Sequence, residues 1–495
     1  MFRIVVGLVL VLAPLYGASE AEPRMMDLNV VAVDSHGQPV GDMTRDEFRV
    51  SDAGKPQTIA FFRHRDTKDG RAPALGPNEF SNRSATNIPR ATLILFDLLN
   101  EDFGTQGFAA NNLIHSLESL ESADYLYLYL LTLDGHLYPV HGLPAQPGEA
   151  GPPGAAPWTR QIKPLLDGAL RTVLQARRTD IDVAIRVPMT FKALDAIAIE
   201  LSSVPGHKNI VWITDGVPME LGPNRSDIGD YVDYTPLLRR MSDAFDRSGV
   251  SLYPARQIML GSPDNPDGAG RSGISSVATL NELAEMTGGR PDAGKDIGGA
   301  VRQAISDART SYQIGYYPGE KNWDDKIHKL RVMCTRKGVR IQTKTSYYAW
   351  RENLGAKSEQ AIDSVIPTMF DAGEIGLRGT LSPIANSART RLAAQIDAQD
   401  VVLVHTGDVY DGQLRLAVVG YAPGTEPKRL ATIPLDLHYS DQDRDRALQQ
   451  GISFVQDVTL PEDVRTVRLI VFDRGSNAIG SVTMPVPPAT PTKTN

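Results

Sequence analysis

Two aspartates stand where apolar runs stop. Residues 91–96 form a nearly continuous apolar run that ends at Asp97, and residues 209–214 lead into Asp215. Runs of this kind predict strands buried on both faces of a sheet. Open α/β sheets place ligand sites at the carboxyl ends of their strands, so these carboxylates are the first candidates for chemistry.

Most other chemistry is excluded by pattern. His136, His207 and His328 lack zinc spacing, and His-Glu-x-x-His does not occur. There is no Gly-x-Ser-x-Gly nucleophile elbow. The Gly-rich stretch 268–273 lacks the Lys-Ser/Thr of a phosphate loop. The acidic stretch 264–268 has the wrong spacing for calcium and Ser275 at its twelfth position; 441–445 has Arg446 and Ile452 where calcium loops need Gly and Glu. Both read as solvated turns. Cys334 is the single cysteine, so no internal disulfide can form. Its strand pattern predicts a small buried hydrophobe.

The surrounding elements divide the chain. Its 495 residues suggest about three domains at roughly 150 residues each. A net charge of −8 makes nucleic acid a poor partner. Residues 1–21 read as a signal peptide: Arg3, then an apolar run too short to span, then small residues. No later stretch approaches a spanning helix. Export to the periplasm, the envelope or beyond is the expected localisation. Residues 24–66 alternate as a small β module, and 67–89 are polar, Gly/Pro/Asn-rich and read as a linker. From 90 to 308 buried-strand and helix patterns alternate, predicting an α/β, doubly wound, Rossmann-like domain with a Pro/Gly-rich insertion at 141–158. Strand patterns return at 309–350. Neither they nor 24–66 can bury a core alone, so the two are expected to pair. Tyr312, Tyr316, Tyr317, Tyr347, Tyr348 and Trp350 are expected to form core and rim there. Residues 351–395 read as a bridge, 396–486 as a β-sandwich-like domain, and 487–495 as a disordered tail.

Several blocks, in order, resemble one family. "VAVDSHGQPVGDMTRDEFRVSDAGKPQTIAFF", "LILFDLLN", "MTFKALDAIAIELSSVPGHKNIVWITDG", "LNELAEMTGGR" and "SYQIGYYPGEKNWDDKIHKLRV" are similar to the VWFA-related proteins of Acidobacteria. These carry a von Willebrand factor A domain after a signal peptide and a β module. The resemblance covers about residues 25 to 350.

It implies a metal ion-dependent adhesion site, where Mg²⁺ or another divalent cation takes oxygen ligands and a partner's acidic group completes the shell. Asp97 matches the first Asp, Thr190 the Thr before its helix, and Asp215 the last Asp. Leu99 and Glu101 replace the two serines, and Asn100 is an adjacent oxygen donor. The site is therefore degenerate: Asp97, Asn100, Glu101, Thr190 and Asp215 are its candidate ligands. The competing reading makes Asp97 and Asp215 caps for backbone N–H groups. No catalytic residue is expected. The expected function is an exported protein-interaction or adhesion module with a protein partner. A secreted hydrolase and a metal-free envelope scaffold are the alternatives.

Overall fold

The computed structural model describes residues 25–66, 75–83, 91–100, 103–120, 125–143, 158–173, 183–202, 204, 207–217, 220–221, 232–256, 276–290, 296–319, 322–351, 358–367, 371–384, 387 and 389–487. The signal peptide, Glu101, most of the 141–158 insertion, the 264–268 and 268–273 stretches and the tail beyond 487 lie outside the described residues.

Two four-stranded antiparallel sheets form the first module. Met26–Val33 pairs with Thr310–Tyr316, with Leu28 opposite Ile314. Phe61–Asp66 and Arg340–Gln342 complete that sheet. In the other, Ile327–Cys334 lies between Phe48–Asp52 and Ser346–Tyr348, with Lys55–Gln57 at the edge. Each sheet thus takes strands from before residue 67 and from after residue 309. Leu28, Val30, Phe48, Val50, Tyr312, Ile314, Tyr316 and Tyr347 fill the core between them. Within 309–350, the pattern at 339–347 predicts one continuous strand. The chain instead makes two short ones that join different sheets. Between them, buried Lys344 meets Asp246 of the helix Thr235–Arg247 at 2.7 Å. Cys334 is half-buried, not buried as its pattern implied.

The second module is a five-stranded mixed sheet. Val250–Ala255, Lys208–Ile213, Ala91–Asp97 and Leu126–Leu131 lie parallel in that order, and Leu137–His141 runs antiparallel at the edge. Every residue of the four parallel strands is buried. The helices Val183–Ser202, Thr235–Arg247 and Ser276–Thr287 cover one face through Leu194, Phe245 and Leu283. The helices Phe103–Glu118, Ile162–Val173 and Ile297–Asp307 cover the other through Leu113, Leu166 and Val301.

The last module packs two antiparallel sheets on one core containing Leu377, Leu392, Leu416, Leu469 and Met484. One sheet runs Ile452–Thr459, Arg389–Ile396, Leu377–Pro383 and Glu79–Ser81. The presumed linker therefore gives this sheet an edge strand. The presumed bridge gives it two strands, and gives the opposing sheet the helix Ser358–Val365 on its outer face. The charged stretch at 441–445 is not a turn. It opens the helix Asp441–Gln450, capped by Ser440, whose hydroxyl accepts from the Asp443 amide, with Asp441 and Asp443 at the positive helix end.

These observations overturn the expected class. The described residues are mostly β, with 41% strand against 29% helix. Among the described residues, every sheet but one is antiparallel throughout, and that one is mixed. The chain is therefore not an α/β protein organised as a doubly wound, Rossmann-like von Willebrand factor A domain. Four mainly apolar, fully buried runs gave the sequence its strongest pattern. The weaker alternation of half-buried antiparallel strands is more numerous and decides the class.

Candidate functional site

Asp97 ends the central strand of the mixed sheet and is fully buried. Its Oδ1 accepts from the Asn100 backbone N–H at 3.0 Å. Its Oδ2 accepts from Asn100 Nδ2 at 2.8 Å, Trp212 Nε1 at 3.0 Å and Thr214 Oγ1 at 2.9 Å. Burial pushes the Asp97 carboxyl above the ordinary range, against the pull of these hydrogen bonds. Thr214 also accepts from the Gly216 N–H, so one hydroxyl fixes both the carboxylate and the turn beyond the strand.

Thr190 is not before its helix. It lies inside Val183–Ser202, two residues after Pro188. Its hydroxyl donates back to the Arg186 carbonyl at 2.9 Å, one turn earlier. It accepts from Asn100 Nδ2 at 2.7 Å. Both amide hydrogens of Asn100 are thereby used, one on Asp97 and one on Thr190. Turning the amide would set its oxygen against Asp97 Oδ2, acceptor against acceptor.

Asp215 is half-exposed and faces Arg256, whose Nη2 lies 3.7 Å from its Oδ1. Arg256 Nε is buried with no hydrogen-bond partner. Arg186 donates to the Leu99 carbonyl at 3.3 Å, and its own Nε is likewise unpartnered. The structure thus brings Asp97, Asn100 and Thr190 into one network, with Asp215 one residue beyond its Thr214 member.

A hard divalent cation does not fit this donor set. Mg²⁺ needs oxygen lone pairs at about 2.0–2.1 Å. Four donors already meet the Asp97 carboxylate, and a Thr190 lone pair faces an N–H. Among the described residues, no three His, Cys, Asp or Glu side chains are grouped so as to hold a metal.

Pattern reading missed Trp212 and Thr214. The signal was available for Trp212: an indole inside an apolar strand needs an acceptor for its N–H, and Asp97 lies on the neighbouring strand. It also missed a second polar cluster in the first module. Buried Asp52 accepts from Tyr316 at 3.1 Å and Tyr347 at 2.9 Å and faces His328 Nδ1 at 3.2 Å. His328 Nε2 faces Asp324 at 3.0 Å. Burial and the Asp52 charge hold both tyrosines well above the usual phenol range. The cluster joins the two sheets. Tyr317 instead reaches the Gly475 carbonyl of the last module at 3.2 Å, and Tyr348 lies under the Arg239 guanidinium.

No protein-family model matches the chain, and no curated protein is similar to it at the level searched. A von Willebrand factor A domain is thus not shown by comparison. Among solved structures, the pilus adhesin RrgA from Streptococcus pneumoniae aligns over 92% of this chain and 80% of its own, at 9% identity and a TM-score of 0.21. That score is too low to indicate a shared fold. Among the described residues, no helix is long and apolar enough to cross a membrane.

Proposed function

We propose that this chain is an exported protein-interaction module that meets its partner at the strand-end face around Asp97, Asp215 and Arg256. The observation that carries the reading is the state of Arg256. Its side chain is one-third exposed, and among the described residues its ion pair is the long contact with Asp215 and its buried Nε has no acceptor. A guanidinium left this incomplete beside a rigid network favours an acidic side chain from a partner, taken in a fork geometry. The network beneath it supplies the stiffness: Asp97, Asn100, Thr190 and Thr214 hold one another and leave little freedom to lose on binding. Export rests on the apolar run and small residues at the start of the sequence.

The test is capture from an envelope extract with immobilised protein. The captured partner should be lost with Arg256→Ala and kept with Arg391→Ala, which alters only an exposed pair with Asp457 in the last module. Equal capture by both variants and the wild type would remove the strand-end face as the recognition surface.

A further inference from the structure

We propose that the Asn100 side-chain amide occupies the place of a divalent cation at the strand ends, and that this amide is what keeps the site metal-free. The inference holds whether or not the face binds a partner.

The geometry points to one atom. Asn100 Nδ2 lies 2.8 Å from Asp97 Oδ2 and 2.7 Å from Thr190 Oγ1. It bridges a carboxylate oxygen and a hydroxyl oxygen from two separate elements, as a bound cation does. Its two hydrogens carry partial positive charge toward both. Asp97 and Thr190 are each fully buried, and Asn100 nearly so. A buried carboxylate needs a positive counterpart or strong donors, and here donors fill that role.

Charge agrees with the geometry. Asp215, which could have supplied a second carboxylate, faces Arg256. Among the described residues, Asp97, Asp215 and Arg256 sum to a single negative charge, too little for a dehydrated divalent ion. An amide bridge needs no second carboxylate. A cation would have to displace Asn100 and draw both oxygens inward by more than half an ångström to reach about 2.1 Å.

The amide also locks the backbone. The Asn100 N–H binds Asp97 Oδ1 while its side chain binds Oδ2, so residues 97–100 close on themselves.

The experiment is titration of the full mature chain with Mn²⁺ alone, read by calorimetry and by Tm. Wild type should give no saturable binding and no Tm shift. Asn100→Asp places an oxygen against Asp97 Oδ2, so it should lower Tm without metal. It should gain saturable Mn²⁺ binding that raises Tm by a few degrees, because a ligand that binds only the folded state stabilises it. Asn100→Ser removes the amide without adding charge and keeps the test valid if the aspartate variant does not fold. Saturable Mn²⁺ binding by wild type, lost in Asp97→Ala, would overturn the proposal. So would folded Asn100→Asp or Asn100→Ser proteins that still take no Mn²⁺, since the amide would then not be the obstacle.

Discussion

The indole of Trp212 donates to the carboxylate of Asp97 across 3.0 Å, linking two neighbouring parallel strands through side chains as well as backbone. Trp212 is fully buried, so the indole N–H has no water to turn to. The contact orders Asp97 together with Thr214 and Asn100, which meet the same carboxylate oxygen.

Trp212→Phe tests that contact. The smaller ring removes one of the four donors on Asp97 and leaves a small void. A stability loss of about 2–4 kcal/mol is expected, combining the lost hydrogen bond with the cavity. Urea denaturation should show a lower midpoint at unchanged m. A shift below about 0.5 kcal/mol would mean the indole does not support the carboxylate.

Acid stability has an identifiable contributor at Glu47. Hydrogen bonds from Arg336 and the Thr44 backbone lower its carboxyl from 4.5 to about 2. The folded protein therefore releases this proton more readily than the unfolded chain. The stability it adds is complete above pH 4.5 and is lost as pH falls toward 2. Glu47→Gln should lie below wild type at pH 6 and converge with it as pH approaches 2. Urea midpoints at intervals from pH 6 to pH 2 check this; a constant gap between the two would reject it.

Two glycines should behave oppositely. A Cβ on Gly289 would lie 1.7 Å from the Leu252 carbonyl oxygen, a backbone atom of the fully buried strand Val250–Ala255. Gly289→Ala should cost about 3 kcal/mol or more, or prevent folding. Gly168 lies within the helix Ile162–Val173 with open space where its Cβ would be. Gly168→Ala should stabilise by roughly 0.5–1 kcal/mol. Thermal denaturation of both variants decides the matter, and the same sign for both would be a failure.

Asp400 joins the first and last modules. It is buried, pairs with Arg63 at 3.1 Å and with Arg83, and accepts from the Gly376 N–H at 2.6 Å. Arg63 also donates to the Glu374 carbonyl at 3.0 Å. Asp400→Ala removes the close ion-pair partner of the mostly buried Arg63 guanidinium, and a loss of about 3 kcal/mol is expected. Limited proteolysis should then cut between the two modules faster than in wild type. Unchanged cleavage and stability would show that the pair holds nothing.

Legibility in the sequence followed the strength of the local pattern. The apolar runs that include Leu93 and Ile210 announced buried strands, because both faces of that sheet are covered. Glu79–Ser81 was hidden in a polar stretch, since an edge strand of three residues has too few positions to alternate. The helix Asp441–Gln450 was hidden because its apolar stripe is thin; Ser440 before an acidic first turn was the missed cue. At the site, Asp97 and Asp215 could be read from where the runs stopped. The inward turn of Thr190 could not, since it follows from a helix that starts earlier than its clearest periodicity. Asn100 was legible as a polar residue in reach. Its use as a donor depended on which oxygens surround it.

The first module has a consequence for the order of folding. Asp27 bonds to Gln313, 286 residues away in sequence. Its first strand, Met26–Val33, cannot acquire its neighbours Thr310–Tyr316 and Arg340–Gln342 until more than half of the chain has emerged from the ribosome. Until then their edges are open to mispairing, and closing so long a loop slows the final step. A chain built this way completes its first module after the middle one has formed.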